Sequence, residues 1–334
     1  MSECSPCCAP APQGPPPRAG LAIAHRPRPH GRRTDGQVLI PGGTFQRGDA
    51  FAEGHPADGE GPTHLVVLPS YYIDATTVTT AQFAAFVDET GHVTDAERLG
   101  SSAVPAMQLA GPPDVVVGRM PGAPWWLLVE GADWRHPNGP ASDLKGHDEH
   151  PVVHVTWDDA DAYCRWAARR LPTEAEWEHS ARGGREGERF PWGDELLPEG
   201  EWQCNIWQGN FPEENSTADG WAGTAPVASY AANDYGLYEM SGNVWEWCAD
   251  YFSATAYGEC AAHATVLDPR GPSTGSTRVM RGGSFMCHDS YCNRYRVAAR
   301  SSSPPDSSAA NLGFRCANDG PANETTHHDR EACA

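Results

Sequence analysis

Glycine and proline recur so often along this chain that long helices and strands have little room to form. The 334 residues include 35 Gly and 30 Pro, about a fifth of the total. Such a composition predicts a loop-rich fold with short elements. Twelve Trp and ten Tyr supply large apolar surfaces with polar groups at their edges, which can pack against irregular backbone without long helices.

Charge and hydropathy exclude several classes of partner. Acidic residues outnumber basic residues by 44 to 24, and the formal net charge of −20 disfavours nucleic acid and anionic membrane surfaces. The same charge suits a substrate that carries basic residues. No stretch approaches the ~18 apolar residues of a membrane span, and the N-terminus lacks the apolar core of an export signal. We therefore expect a soluble, cytoplasmic monomer.

The two ends of the chain differ in composition from the rest. Residues 1–36 are rich in Pro and locally basic, and residues 320–334 are polar. Neither segment can bury enough apolar surface to fold, so we predict two disordered tails around one domain at 37–319. Of the 11 cysteines, three lie in the N-terminal tail, to which we assign no function: Cys4, Cys7 and Cys8.

Short apolar runs predict strands at 38–40, 65–68, 71–73 and 152–155. Capping signals predict three helices, which begin after Thr79 or Thr80, after Thr156 and after Thr173. The first ends by Gly91 and the last by Gly183. Residues 92–149 are predicted to form a long loop that is ordered by its tryptophans.

Two groups of polar side chains resemble catalytic or metal sites but have simpler explanations. Pro151 and the nearby valines favour a strand, in which residues four apart lie about 13 Å from each other, so three histidines are expected to be structural: His147, His150 and His154. Carboxylates in a first helical turn usually balance the helix dipole, which is the expected role of Glu174, Glu176 and Glu178.

The densest chemistry lies at 281–296, where thiol, hydroxyl, imidazole and phenol groups crowd together. Cys287 and Cys292 are five residues apart, so only a bend in the backbone could bring both thiols together. Gly282 and Gly283 favour such a bend. A converging pair would be a disulfide, a redox dithiol or a two-thiolate metal site. Two soft thiolates suit Cu(I) better than zinc, which usually takes three or four protein ligands.

Longer motifs surround this stretch. They are Gly-Gly-Thr-Phe at 42–45, His-Pro-Val-Val-His-Val-Thr-Trp at 150–157, Arg-Leu-Pro-Thr-Glu-Ala-Glu-Trp-Glu at 170–178, Gly-Asn-Val-Trp-Glu-Trp at 242–247 and Asn-Leu-Gly-Phe-Arg-Cys at 311–316. Together they resemble the formylglycine-generating enzymes, or sulfatase-modifying factors, over residues 37–318. This resemblance implies an α+β fold of the C-type-lectin-like kind: one loop-rich domain with short antiparallel sheets.

The resemblance also implies an activity. A formylglycine-generating enzyme oxidises a cysteine of an unfolded or nascent sulfatase, within a Cys-x-Pro-x-Arg sequence, to Cα-formylglycine (3-oxoalanine). O₂ and a thiol reductant are its co-substrates. No side chain activates O₂ alone, so a one-electron metal is required, and Cu(I) on Cys287 and Cys292 fits that need.

Site residues follow from the resemblance. The catalytic residues implied are Cys287, Cys292, Ser284 and Tyr291, and by residue type the last two could equally be structural. Trp245 would form a wall of the pocket. The other implied substrate contacts are His288, Arg294 and Asn311.

Hard oxygen donors in the turn-rich segment 204–250 are compatible with calcium, although acidic loops are usually just solvated. The resemblance implies two structural Ca²⁺ sites. The first comprises Asn205, Asp219 and the carbonyls of Ile206 and Trp221. The second comprises Glu239, Glu246 and the carbonyls of Gly242 and Val244.

The chain departs from the family pattern at several positions. Gln-Arg-Gly at 46–48 replaces the usual Met-Gly, so that Arg47 is the departure there. Glu239 replaces a common Asn or Asp. Ala181 and Val297 occupy positions where exported relatives can place disulfide cysteines, which agrees with a cytoplasmic form. Cys316 then has no obvious partner and is expected to act as a small buried hydrophobe.

Other functions remain to be weighed. A non-catalytic peptide-binding or ligand-binding module on the same scaffold is the main alternative, and the presence of both Cys287 and Cys292 argues against it. An iron-dependent sulfoxide synthase would need a histidine-rich helical domain that is absent from the sequence. A serine hydrolase is disfavoured because Ser284 lacks the sequence context of a nucleophile elbow.

Overall fold

The computed structural model describes residues 34–321, so the two predicted tails lie almost wholly outside the described residues. Within that range the chain forms short helices joined by long irregular segments. The helices are α1 (Thr80–Thr90), α2 (Asp95–Leu99), α3 (Trp157–Trp166), α4 (Glu174–Arg182) and α5 (Ala256–Cys260). None of them is long and apolar enough to cross a membrane.

Threonine capping boxes explain where the first four helices begin. In α1, α3 and α4 the cap residues are Thr79, Thr156 and Thr173, and each hydroxyl accepts from the backbone N–H three residues on. The three predicted helices are thereby confirmed. Gly91 and Gly183 end α1 and α4 in the left-handed conformation that glycine adopts readily.

The strands are equally short. In chain order they are β1 (Gln37–Ile40), β2 (Gly43–Arg47), β3 (His64–Leu68), β4 (Tyr71–Asp74), β5 (Ser101–Pro105), β6 (Val116–Met120), β7 (Ala123–Glu130), β8 (Gly209–Asn210), β9 (Glu214–Asn215), β10 (Trp245–Tyr251), β11 (Val266–Leu267), β12 (Arg278–Arg281), β13 (Arg300–Ser303), β14 (Leu312–Gly313) and β15 (Ala317–Asp319). The strands predicted at 38–40, 65–68 and 71–73 are confirmed as β1, β3 and β4.

These strands build several small, mostly antiparallel sheets. The orders are β1-β4-β15, β11-β3-β2, β5-β7-β6, β8-β9 and β13-β12-β10-β14. Only the β10–β14 and β11–β3 pairs run parallel among the described strands. The α+β, loop-rich fold is confirmed.

Two local predictions were wrong. Residues 92–149 do not form one long loop, because they contain α2 and the three strands β5, β6 and β7. The apolar residues of this segment alternate weakly, so periodicity alone did not reveal the sheet. Residues 152–155 form no strand; their chain segment makes only an isolated bridge between Thr79 and Pro151.

Tryptophan dominates the interior, as the composition indicated. Five indoles are at most 1% exposed: Trp126, Trp177, Trp207, Trp245 and Trp247. Around Trp245 and Trp247 the main apolar cluster also contains both cysteines of the 281–296 stretch. The core and the chemically dense segment are therefore in direct contact.

A buried network of arginines and glutamates lies under α4. Arg47 and Arg281 place guanidinium nitrogens 2.9 and 2.8 Å from the Glu174 carboxylate, and Arg281 also lies 2.7 Å from Glu178. Arg300 adds a further bond of 2.9 Å to Glu174. Burial alone would raise the pKa of Glu178, but Arg182, Arg281 and Arg47 lower it to about 2.

This network corrects the explanation from the helix dipole for Glu174 and Glu178, which chiefly balance arginines from distant strands. Glu176 does serve the helix end, since its carboxylate accepts from Thr173 N at 2.8 Å. Arg47, the departure from the family pattern, is an integral part of the network and is almost fully buried.

Candidate functional site

A tight turn brings the two cysteines of the 281–296 stretch together. Cys287 N donates to the Ser284 carbonyl at 2.9 Å, and Cys292 N donates to the His288 carbonyl at 2.7 Å. The resulting bend places the two Sγ atoms 3.2 Å apart, with no disulfide between them. Both cysteines are buried. The predicted convergence of the thiols is thus present in the structure.

Glycine is required immediately before this turn. Gly283 has a φ of +73°, and a Cβ there would lie 2.8 Å from the Arg294 carbonyl oxygen. A side chain at this position would therefore push apart the two backbone segments that carry Ser284 and Arg294.

Ser284 lies at the start of the turn and is completely buried. Its Oγ accepts hydrogen bonds from Asn311 Nδ2 at 2.9 Å and from Met286 N at 3.3 Å. Asn311 is equally buried and precedes β14, where its carbonyl accepts from Trp245 N at 2.8 Å. Asn311 therefore contacts the turn that carries the two cysteines through its hydrogen bond to Ser284.

Several polar atoms near the turn are buried and have no hydrogen-bond partner among the described residues. They are Trp245 Nε1, Trp207 Nε1 and Asn311 Oδ1. Trp207 is joined to the turn by a bond of 3.0 Å from its backbone N–H to the Cys287 carbonyl. Buried polar groups are normally paired, so orphans of this kind often mark a place for a bound molecule.

Aromatic rings form the half-buried side of the turn. Tyr291 stacks on Phe211 with ring centroids 4.6 Å apart, and Trp125 meets Tyr291 edge-on at 4.9 Å. Trp207 packs against Phe211 from the inner side at 5.0 Å. The partly exposed rings Trp125, Phe211 and Tyr291 offer an apolar surface next to the cysteines. We call these three residues the aromatic patch.

The remaining substrate-contact predictions divide between surface and interior. His288 is partly exposed, and its Nδ1 lies 2.8 Å from Ser290 Oγ. Arg294 is instead buried, with its Nε 2.6 Å from the Asp58 carboxylate. Its side chain thus anchors the turn to the segment that precedes β3.

The first set of predicted calcium residues does come together. Asp219 accepts from Ile206 N at 3.1 Å and from Trp221 N at 3.0 Å, which places all three around one carboxylate. Asn205 Oδ1 is buried nearby without a partner among the described residues. Burial raises the pKa of Asp219, as expected for a carboxylate that lacks a compensating charge. This donor set fits a hard cation.

The second set fits a cation less well. Both Glu246 oxygens lie 2.7 Å from nitrogens of Arg315, and one of them also accepts from Trp177 Nε1. The Glu239 carboxylate accepts from Ala228 N at 2.9 Å and Tyr230 N at 3.3 Å. An ion bound with the Gly242 and Val244 carbonyls would have to share Glu246 with Arg315.

Of the three histidines, His147 and His150 lie side by side and His154 lies apart from them. His154 is buried between Ser102 Oγ at 2.7 Å and the Pro137 carbonyl at 2.8 Å, and burial lowers its pKa to about 4. The rings of His147 and His150 lie 4.6 Å apart. Over residues 34–321 no three His, Cys, Asp or Glu side chains form a potential metal cluster.

Two buried cysteines lie near other cysteines that the sequence did not predict as their neighbours. Cys316 was expected to have no partner, but its Sγ lies 3.5 Å from that of Cys164, 152 residues away. Cys204 is buried in the same apolar cluster as Cys287. Burial raises the pKa of Cys204, and Asp219 and Cys287 reinforce the effect. No local spacing signals either neighbour.

The chain is similar to known proteins over most of its length. The model of the "sulfatase-modifying factor enzyme 1-like domain" family matches residues 24–320. This chain belongs to that family. It is 60% identical to the formylglycine-generating enzyme of Streptomyces coelicolor, with 91% of this chain and 95% of the relative covered. The enzyme of Thermomonospora curvata is 56% identical, with 85% and 93% covered.

A bovine relative named inactive Cα-formylglycine-generating enzyme 2 is 41% identical, with 85% of this chain and 88% of the relative covered. Solved structures extend the likeness at fold level. PvdO from Pseudomonas aeruginosa superimposes with a TM-score of 0.60 at 23% identity, covering 85% of this chain and 94% of PvdO. The predicted family, and with it an oxidoreductase of the formylglycine-generating kind, is confirmed.

Proposed function

We propose that this protein oxidises a cysteine of an unfolded or nascent sulfatase, within a Cys-x-Pro-x-Arg sequence, to Cα-formylglycine. The observation that carries the proposal is the pair of buried thiols of Cys287 and Cys292, whose Sγ atoms lie 3.2 Å apart without a disulfide between them. The relatives at 60% and 56% identity are named for this product.

Cys287 and Cys292 would hold one Cu(I). Two thiolates in a buried, apolar setting are a soft donor set that suits this ion. When bound, copper supplies the one-electron chemistry that lets O₂ react. The reaction R–CH₂SH + O₂ + 2 e⁻ + 2 H⁺ → R–CHO + H₂S + H₂O balances only with a two-electron donor, for which a thiol reductant suffices.

The protein's own residues would position the peptide. The aromatic patch provides an apolar surface for the residues around the substrate cysteine, and His288 lies at the exposed side of the turn. Ser284 and Trp245 line the inner side. Arg294 is held by the Asp58 carboxylate and Asn311 donates to Ser284, so both would support the turn from within.

A folded sulfatase could not present an interior cysteine to thiols this deeply buried, so the substrate must be an extended chain. The excess of acidic residues favours a peptide that carries an arginine. We further propose that a Ca²⁺ ion at Asn205 and Asp219 stabilises the fold without taking part in the chemistry, with the second site a weaker candidate.

The competing function is a peptide-binding module without chemistry, and the inactive bovine relative makes this a real alternative. Both functions predict binding of the peptide Leu-Cys-Thr-Pro-Ser-Arg, but only the enzyme changes its mass. The test is mass spectrometry of this peptide after incubation under air with copper-loaded protein and a thiol reductant.

Matched variants make the test specific. Cys287→Ser and Cys292→Ser should each abolish Cu(I) binding and conversion while the melting temperature stays close to that of the wild type. Cys260→Ser, a buried cysteine in α5 that packs in the other apolar cluster, should retain both. If the double serine variant retained stoichiometric copper, the site assignment would be wrong.

A further inference from the structure

We propose that Asn311 is a positioning residue, which fixes the Ser284 hydroxyl so that its hydrogen points to the sulfur of the incoming substrate cysteine. The inference rests on the proposed function, because it assumes that a cysteine peptide approaches Cys287 and Cys292. It goes further by assigning a direction to one proton.

The hydroxyl oxygen of Ser284 already accepts as many hydrogen bonds as it can. A serine hydroxyl has two lone pairs and one hydrogen. Two N–H donors, from Asn311 at 2.9 Å and Met286 at 3.3 Å, already point at Oγ. With both lone pairs occupied, the hydroxyl must donate in a third direction. Ser284 is completely buried, so bulk water cannot take that proton.

The position of Ser284 supplies the direction. Its carbonyl accepts from Cys287 N, so it starts the same turn that carries both thiols. A substrate sulfur that joins these two thiols would bind at the turn that Ser284 begins. A thiolate accepts hydrogen bonds, and donation to a charged acceptor is stronger than donation to a neutral one.

The amide of Asn311 decides between two states of Ser284. In the observed orientation Nδ2 donates to the hydroxyl, and Oδ1 is buried without a partner among the described residues. If the amide turned over, Oδ1 would accept the Ser284 proton and the substrate would lose it. The bond from Trp245 N to the Asn311 carbonyl fixes the backbone from which this side chain extends, just before β14.

The substitution Asn311→Asp provides the test. An ionised carboxylate can only accept hydrogen bonds, so it would accept the one that the Ser284 hydroxyl otherwise donates to the substrate. Peptide affinity is measured by calorimetry on metal-free protein under argon with a phosphine reductant, so neither copper nor O₂ takes part. Two peptides are compared: Leu-Cys-Thr-Pro-Ser-Arg and its Cys→Ala version, which lacks only the sulfur.

At pH 8, Asn311→Asp should weaken binding of the cysteine peptide about 10- to 150-fold and leave the alanine peptide unchanged, the range expected for one lost hydrogen bond to a charged group. Ser284→Ala should do the same, and the double variant should be no worse than either single variant. The effect of Asn311→Asp should fade as the pH falls, because a protonated carboxyl can donate as the amide does.

Equal weakening of both peptides would show a purely structural role and overturn the proposal. So would additive effects of the two substitutions, or wild-type affinity that does not distinguish the two peptides. If Asn311→Asp fails to fold, Asn311→Ala replaces it: the freed hydroxyl should then give a smaller, pH-independent loss for the cysteine peptide alone. Failure of the proposed function would be seen separately, as the absence of conversion by copper-loaded wild-type protein.

Discussion

Asp250 should make the stability of this protein depend on pH in the direction opposite to an ordinary surface carboxylate. It lies at the N-terminus of α4, almost fully buried, where its Oδ2 accepts from Glu174 N at 2.8 Å. Burial, reinforced by the negative charge of Glu174, raises the pKa of Asp250 from 3.8 to about 7. Between these two values the native state holds a proton that the unfolded chain has released.

The size of the effect follows from linkage. A raised pKa contributes stability that is complete below the unfolded value and is lost as the pH rises through the folded value. Lowering the pH from 8 to 5 therefore changes the folding equilibrium constant, through Asp250 alone, by about 1.9 log units. At 1.36 kcal/mol per unit, this amounts to about 2.6 kcal/mol of added stability at pH 5.

Asp250→Asn isolates this term, because the amide oxygen can still accept from Glu174 N but does not titrate. Urea unfolding followed by tryptophan fluorescence at pH 5, 6, 7 and 8 gives the unfolding free energy of each protein. The wild type minus Asp250→Asn difference should grow by about 2.6 kcal/mol from pH 8 to pH 5. Other groups, including the histidines, act alike in both proteins and cancel.

Asp114→Asn, at an exposed position, is the matched control, and its difference from the wild type should stay flat. A flat difference for Asp250→Asn as well would refute the reasoning, since it would mean that the carboxyl is ionised throughout this range. A difference that grows toward pH 8 would be equally damaging, because it has the wrong sign.

Three other outcomes are expected. Calcium chelation should lower the melting temperature measured by calorimetry, and Asp219→Ala should lower it in the same way. If chelation stopped conversion without changing the melting temperature, the ion would belong in the active site. Replacing the substrate arginine by alanine should raise KM and weaken the dependence of the rate on salt, and an unchanged KM would exclude acidic steering. Arg315→Met should lower the unfolding free energy by about 3–5 kcal/mol, because it strands the buried Glu246, whereas exposed Arg270→Met should have little effect in the same urea titration.

Local chemistry in the sequence predicted the helices well. Threonine followed three residues later by Gln, Asp or Glu is a self-contained signal, and the helices after Thr79, Thr156 and Thr173 all begin where it occurs. The strand at 152–155 was wrong because valine content measures a preference for extended backbone, not the presence of a pairing partner.

The site was predictable to the extent that its residues share one turn. Ser284, Cys287 and Cys292 lie within nine positions, so the glycines before them were enough to suggest convergence. Contacts across the fold left no such trace. Neither the Cys164–Cys316 pair nor the bond from Asn311 to Ser284 could be read from spacing, because folding sets distances between remote segments.

The buried ion network has a consequence for synthesis of the protein on the ribosome. Glu174 and Glu178 both meet Arg47, which precedes them, and Arg281, which follows them; Glu174 also meets Arg300, which follows it by 126 positions (300 minus 174). At about 5–20 residues per second, Glu174 waits roughly 6–25 s for that arginine to be made. The outer strand β15 arrives later still and pairs with β4, where Ala317 lies opposite Ile73. The N-terminal half therefore cannot complete its fold during translation, and both site cysteines are synthesised before the domain that buries them can close.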